Sequence, residues 1–191
     1  TRKVSNTAIR INTSAALMRQ EDDPVLSGRV MPVLVTGASG FIGAHVVCHL
    51  LEMGFSVRAM LRDTSLSAMF PNNENLEIVK GDLFDVGSLK AAVSGCEDVI
   101  HCAAALYVGA KDVKRDVVDP SVIGVQNLCS VMGGVKRIIH TSSVAAIRST
   151  DYENGKVFTR KDWCDDATET RNAYGFAKAE AERIMREWAK D

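Results

Sequence analysis

The chain has 191 residues, and its 23 basic and 24 acidic side chains give a formal net charge of −1 at pH 7. This balance lacks the positive field of a nucleic-acid-binding protein, and no run of about 18 apolar residues is present that could span a membrane. Hydrophobic residues make up 46% of the sequence, which is typical of a soluble globular domain. Five scattered cysteines without a Cys-x-x-Cys pair argue against a disulfide framework and favour a reducing compartment such as the cytoplasm.

The first thirty residues differ in composition from the rest of the chain. Arg2, Lys3, Arg10 and Arg19 are accompanied by several Ser and Thr and by no acidic residue up to position 20. This composition is typical of an organelle transit peptide, which would place the protein in an organelle. The alternative, which we favour, is a disordered leader, a misplaced gene start or an expression remnant. We therefore predict an extension at 1–30 and a folded domain at 31–191.

From residue 31 onward, short apolar runs alternate with segments of helical apolar spacing. Predicted strands cover 33–36, 55–61, 76–80, 98–103 and 135–142, and predicted helices cover 41–53, 86–93, 113–132 and 168–190. Strands and helices that alternate with short connections predict an α/β fold built on a parallel sheet, here of about five strands.

A glycine-rich turn, Thr36-Gly37-Ala38-Ser39-Gly40-Phe41-Ile42-Gly43, joins the first predicted strand to the first helix. Gly37 allows a positive φ, Gly40 leaves room where a pyrophosphate meets the backbone, and Gly43 allows close helix packing. The helix N-terminus then offers free N–H groups to phosphates. The glycines are spaced three and three, not two and three as in the usual fingerprint. Their position still predicts a dinucleotide site, with a ligand-free tight junction as the alternative.

The residues after the second predicted strand bear on the choice of cofactor. Dinucleotide-binding folds place here the side chain that contacts the adenosine ribose. Arg62 suits bidentate contact with a 2′-phosphate and predicts NADP. If Asp63 binds the ribose hydroxyls instead, the cofactor is NAD. Arg58 lies on the same side of the strand as Arg62 and is either a second contact or a surface residue.

A tyrosine and a lysine four residues apart, Tyr174 and Lys178, share one face of the last predicted helix. A free tyrosine has a pKa of about 10, so proton exchange near neutrality needs a nearby positive charge. Hydroxyl residues at 141–143 end the fifth strand, where a parallel sheet binds ligands and a serine can polarise a carbonyl. Taken alone, these patterns also fit an ordinary helix face and a capped strand end.

Together these features resemble the extended short-chain dehydrogenase/reductase family, also described as the NAD-dependent epimerase/dehydratase superfamily. Within it, the chain looks most like the dihydroflavonol-reductase and 3β-hydroxysteroid-dehydrogenase-like branch. The resemblance extends from Pro32 to Lys190. The segments that carry it are the glycine turn, 57–63 (VRAMLRD), 81–83 (GDL), 101–104 (HCAA), 141–143 (TSS) and 174–178 (YGFAK).

The resemblance implies a Rossmann-type doubly wound parallel sheet and a role for each matching residue. The implied cofactor contacts are Gly37, Gly40, Phe41, Ile42 and Gly43 at the pyrophosphate, Arg62 at the 2′-phosphate, Asp82 and Leu83 at the adenine, and Ala103 and Ala104 at the nicotinamide, with Tyr174 and Lys178 completing the set. The implied catalytic residues are Ser143, which polarises the carbonyl, Tyr174, which exchanges the proton, and Lys178, which holds the ribose. Ser142 is the alternative to Ser143.

The activity that the resemblance implies is NADP(H)-dependent interconversion of a small-molecule carbonyl and a secondary alcohol. A nucleotide-sugar epimerase or dehydratase is one alternative. Because family members are longer, a second alternative is a truncated, non-catalytic dinucleotide-binding module that lacks most of the substrate domain. Family members often form dimers, so a homodimer is expected by analogy. His45 and His49 lack a third ligand, and no metal site is predicted.

Overall fold

The computed structural model describes residues 31–105, 110–152 and 154–190, so the predicted extension at 1–30 lies outside the described residues. Within them, five parallel strands form one sheet in the order β3-β2-β1-β4-β5. The strands are β1 (Val33–Thr36), β2 (Val57–Leu61), β3 (Leu76–Lys80), β4 (Asp98–His101) and β5 (Arg137–His140). The helices are α1 (Phe41–Glu52), α2 (Val86–Val93), α3 (Asp119–Val131) and α4 (Ala173–Trp188). This strand order confirms the Rossmann-type α/β fold.

The central strand β1 is buried on both faces, so the sheet lies between two layers of helices. Alternate residues of a strand point to opposite faces, and β1 follows this rule. Leu34 packs in a cluster with residues of α2, α3 and α4, and Val35 packs in a second cluster with Val47 and Leu51 of α1. Among the described residues, no helix combines the length and apolar character needed to cross a bilayer.

Three polar residues lie side by side where β1, β4 and β5 end. The register pairs Thr36 with His101 and His101 with His140. The Thr36 hydroxyl lies 2.6 Å from Nδ1 of His101, and the two imidazole rings stack with centroids 5.3 Å apart. Burial is the main cause that lowers the pKa of His101 to about 3 and that of His140 to about 4. Both rings are therefore neutral at pH 7.

Two predicted helices begin later than their apolar spacing indicates. α4 begins at Ala173 instead of 168, because Asn172 adopts a left-handed conformation with φ 56° and caps the helix through the N–H of Gly175. The predicted helix 113–132 starts as a π-helical turn over Lys114–Val118. Pro120 follows this turn and has no N–H to donate to a carbonyl of the preceding turn.

Arg58 stabilises the fold away from the cofactor position. Its Nη1 donates to the carbonyl oxygens of Ala92 at 2.8 Å and Ser94 at 2.6 Å, at the C-terminus of α2. Its Nε donates to Glu77 of the neighbouring strand at 2.8 Å. Arg58 therefore ties α2 to the sheet, and it is neither a second cofactor contact nor a solvated surface charge.

Candidate functional site

The glycine turn brings the start of α1 against the end of β4. Gly37 has φ +65°, and a Cβ at this position would lie 2.6 Å from the backbone of Ala103. A Cβ at Gly43 would lie 2.1 Å from the carbonyl oxygen of Gly37. Each of these two positions therefore accepts only glycine, as predicted. Gly43 makes its close contact with the glycine turn. Gly40 caps α1 without a side-chain hydrogen bond, so the helix N-terminus presents its N–H groups outward.

A cavity of about 360 Å³ opens beside this turn at the carboxyl ends of the strands. Its volume lies in the range of small-molecule sites. Of the predicted cofactor contacts it gathers Gly37, Gly40, Arg62, Asp82, Leu83, Ala103 and Ala104. The predicted contacts Phe41, Ile42, Gly43, Tyr174 and Lys178 are not among its lining residues. The side chain of Phe41 is 83% exposed at the start of α1.

At the end of β2, only one of the two competing charged side chains faces the cavity. Arg62 lines it. Asp63 instead caps the 3-10 helix Thr64–Met69, and its carboxylate accepts the N–H of Ser65 at 3.0 Å. Hydrogen bonds from Ser65 hold the pKa of Asp63 below its usual range. At the end of β2 the cavity is therefore lined by the guanidinium of Arg62 and not by the carboxylate of Asp63.

The loop after β3 is held from two sides. The Asp82 carboxylate accepts the N–H of Phe84 at 2.9 Å, and Asn127 of α3 donates from Nδ2 to the carbonyl oxygen of Leu83 at 2.8 Å. Gly124 leaves room for the Leu83 side chain, because a Cβ there would lie 2.9 Å from Leu83 Cδ1. The predicted adenine contacts thus lie on a loop that α3 positions.

Lys178 is linked to a residue of the cavity wall through Thr141. Its side chain is buried, with 3% exposure, and Nζ donates to the carbonyl oxygen of Thr141 at 2.7 Å. The Thr141 hydroxyl in turn lies 3.5 Å from the Cys102 sulfur, which lines the cavity. Burial lowers the pKa of Lys178, and the nearby Glu182 carboxylate opposes this shift.

The two serines after Thr141 make different contacts. Ser143 caps the 3-10 helix Val144–Ala146, where its Oγ accepts the N–H of Ala145 at 3.1 Å. This bond uses a lone pair of Oγ, so the hydroxyl proton can be donated to a substrate oxygen. The Ser142 hydroxyl instead donates to Glu182 Oε2 at 2.5 Å. The contact of Ser142 thus uses its hydroxyl proton and that of Ser143 does not, and neither serine is among the residues that line the cavity. Tyr174 lies half-buried in the first turn of α4.

Several cavity residues are not among the contacts predicted from the sequence. They are Ser39, Met60, Gly81, Phe84, Cys102, Ala105, Asp116 and Pro120. Ser39 belongs to the glycine turn, and Phe84 follows the Gly81-Asp82 pair, so both could have been inferred from their neighbours. Asp116 lies in the π-helical turn, whose wider period changes which side chains reach the cavity. The spacing of apolar residues in the sequence does not predict this π-helical turn.

Comparison with known proteins gives one family and consistent neighbours. The model of the NAD dependent epimerase/dehydratase family matches residues 33–191. Dihydroflavonol 4-reductase of Hordeum vulgare is 33% identical over 183 residues, which cover 87% of this chain and 51% of that protein. The structure of yeast methylglyoxal/isovaleraldehyde reductase Gre2 complexed with NADPH superposes with a TM-score of 0.73 at 27% identity, covering 84% of this chain and 53% of that one. Vestitone reductase from alfalfa superposes with a TM-score of 0.64 at 30% identity, covering 83% and 52%. The chain spans about half the length of the curated relatives it matches.

Proposed function

Because the chain belongs to the NAD dependent epimerase/dehydratase family, we propose that it forms the cofactor-binding part of an NADP(H)-dependent oxidoreductase. The proposed reaction interconverts a carbonyl and a secondary alcohol of a small molecule. The observation that carries the proposal is the cavity that joins the glycine turn to Arg62 and lies against the Cys102–Thr141–Lys178 contacts.

The cavity suits a dinucleotide phosphate. The approach of Gly37 to Ala103 leaves no room for a Cβ, and the uncapped N–H groups of α1 favour an anion. Arg62 would hold the 2′-phosphate, and the loop at Asp82 and Leu83 would border the adenine. When bound, the nicotinamide supplies or accepts the hydride. The named relatives in the comparisons are reductases, and the yeast structure holds NADPH, which supports this assignment.

The remaining chemistry concerns the substrate oxygen. Ser143 would donate its hydroxyl proton to this oxygen as negative charge develops there. Tyr174 would exchange a proton with the same oxygen, and Lys178 provides a positive charge one helical turn away. Thr141 fixes that ammonium through its carbonyl oxygen. A homodimer, a cytoplasmic location and the epimerase or dehydratase alternative stay predictions.

The cofactor assignment is tested on this chain by fluorescence titration with NADPH and NADH. Arg62→Ala removes charge-assisted hydrogen bonds to the 2′-phosphate, so the Kd for NADPH should rise about 10- to 100-fold while that for NADH stays within about twofold. Arg160→Ala, which removes an exposed arginine distant in sequence, is the matched control. Equal, weak binding of both nucleotides by the unmodified chain would end the Arg62 assignment.

The catalytic assignment is tested in the full-length gene product with isovaleraldehyde and methylglyoxal as carbonyl probes. Tyr174→Phe removes the proton donor and should lower turnover about 100- to 10,000-fold, with NADPH affinity nearly unchanged. Tyr152→Phe is the control, because Tyr152 is an exposed tyrosine that packs against Arg148. Full turnover by Tyr174→Phe would remove Tyr174 from the mechanism, and a wild type inert toward both probes and a wider carbonyl panel would contradict the activity.

A further inference from the structure

We propose that Glu182 is a positioning residue, which acts through Ser142 to fix Ser143 relative to the helix that carries Tyr174 and Lys178. The inference rests on the proposed function, because it concerns the same serine and tyrosine. It assigns a role to an acidic side chain that faces the sheet and does not line the cavity.

Two hydrogen bonds join α4 to consecutive residues at the end of β5. Lys178 Nζ donates to the carbonyl oxygen of Thr141 at 2.7 Å, and the Ser142 hydroxyl donates to Glu182 Oε2 at 2.5 Å. Lys178 and Glu182 are four residues apart, so they project from the same face of α4. The helix therefore holds the strand-end segment at two points, one turn apart, immediately before Ser143.

The Glu182 carboxylate is itself held in place. Arg186 donates to its Oε1 from Nη2 at 2.5 Å and from Nε at 2.9 Å, which leaves Oε2 for Ser142. The side chain of Glu182 is only 14% exposed, and it faces the charge of Lys178 and the His140 ring. Burial alone would raise its pKa, but the hydrogen bonds from Ser142 and Arg186 bring the pKa below its usual range. Glu182 is therefore an ionised and oriented acceptor at neutral pH.

The direction of the Ser143 hydroxyl depends on this contact. Ser143 Oγ is already bonded to the N–H of Ala145, so its position follows the backbone between Ser142 and the 3-10 helix. Without the Ser142–Glu182 bond, the nearest side-chain hydrogen bond from α4 among the described residues is that of Lys178 to the carbonyl oxygen of Thr141, two residues before Ser143, and the 3-10 helix after Ser143 is then held to α4 by packing. Small displacements of a group that must meet a substrate oxygen lower turnover strongly. Glu182 thus sets the geometry of Ser143 without contacting substrate.

The kinetic test compares Glu182→Ala, Ser142→Ala and the double variant in the full-length gene product with NADPH and isovaleraldehyde or methylglyoxal. Each single change should lower kcat about 10- to 100-fold and leave the Kd for NADPH within about twofold. The double variant should be no slower than the slower single variant, because both changes remove one contact. Glu182→Gln should recover most of the activity, since its amide oxygen still accepts the Ser142 proton. Glu187→Ala, at an exposed residue paired with Lys190, is the control.

A second measurement does not depend on turnover. In the 191-residue chain, hydrogen exchange at the amides of Ala145, Ala146 and Ile147 should be about tenfold faster in Glu182→Ala and Ser142→Ala than in Glu187→Ala. Equal exchange in all three variants, or multiplicative kinetic losses in the double variant, would overturn the positioning role. Loss of activity in Tyr174→Phe with full activity in Glu182→Ala would overturn this inference alone. Full activity in Tyr174→Phe would overturn the proposed function.

Discussion

His140 occupies an unusual environment for a histidine. Within the described residues, both of its ring nitrogens are buried and lack a hydrogen-bond partner, and the ring stacks on His101. Its position at the end of the fifth strand could be predicted from the sequence. The stack could not, because it depends on the register of β4 against β5, and strand periodicity does not encode register.

This environment predicts that the folded state loses stability in acid. The folded pKa of about 4 lies below the unfolded value, so the unfolded chain binds a proton that the native chain does not. Stability attributable to His140 should therefore fall as pH drops through about 6.5 toward the folded pKa, by up to about 1.4 kcal/mol per pH unit. His140→Phe keeps an aromatic ring and should make the pH dependence of urea unfolding over this window shallower, with the buried His101, whose pKa is about 3, accounting for the rest. His49→Phe, on the exposed face of α1, should leave it unchanged, and equal acid slopes for both variants would contradict the assignment.

Arg58 anchors the C-terminal end of helix α2 to the sheet. Helix α2 ends at its C-cap Ser94, which is followed by Gly95 with φ +74°, and Arg58 of β2 provides further hydrogen bonds to the carbonyl oxygens of Ala92 and Ser94. Helix α2 itself could be predicted from apolar spacing at the bounds observed, Val86–Val93. Its contact with Arg58 could not, because the two partners are separated by more than thirty residues.

Arg58→Met tests this role at the level of the element. The substitution keeps the apolar part of the side chain but removes the guanidinium donor from the carbonyl oxygens of Ala92 and Ser94, and leaves Ala92 only the weak Cys96 thiol at 3.7 Å. We expect unfolding free energy to fall by about 1–3 kcal/mol in urea titrations, and the Kd for NADPH to stay unchanged. The matching variant Arg160→Met should leave stability within about 0.5 kcal/mol. A loss of NADPH affinity like that of Arg62→Ala would instead return Arg58 to the cofactor site.

At the scale of the whole molecule, the sequence predicted the sheet and about half of the cavity lining, but not how α4 packs beside the cavity. Alternating elements and the glycine turn predict the parallel sheet, and Gly37, Arg62 and Ala103 then meet at its carboxyl edge. The contacts of Lys178 and Glu182 depend instead on how α4 packs against β5. That packing depends on the left-handed conformation of Asn172 and on the long polar connection that precedes it. Neither feature can be used to predict from the sequence how close α4 lies to β5.

Thr36, His101 and His140 form a row across three neighbouring strands, and this row requires β1, β4 and β5 to keep their residue counts. Each strand contributes one member, and the neighbouring residue in every strand, such as Ile100 or Ile139, points to the opposite face. Loss or gain of one residue inside any of these strands would place an aliphatic side chain where the hydroxyl or imidazole now lies. The polar side chain would then point to the opposite face of the sheet. Length variation between homologous chains should therefore be confined to the connections, while β1, β4 and β5 keep a fixed residue count.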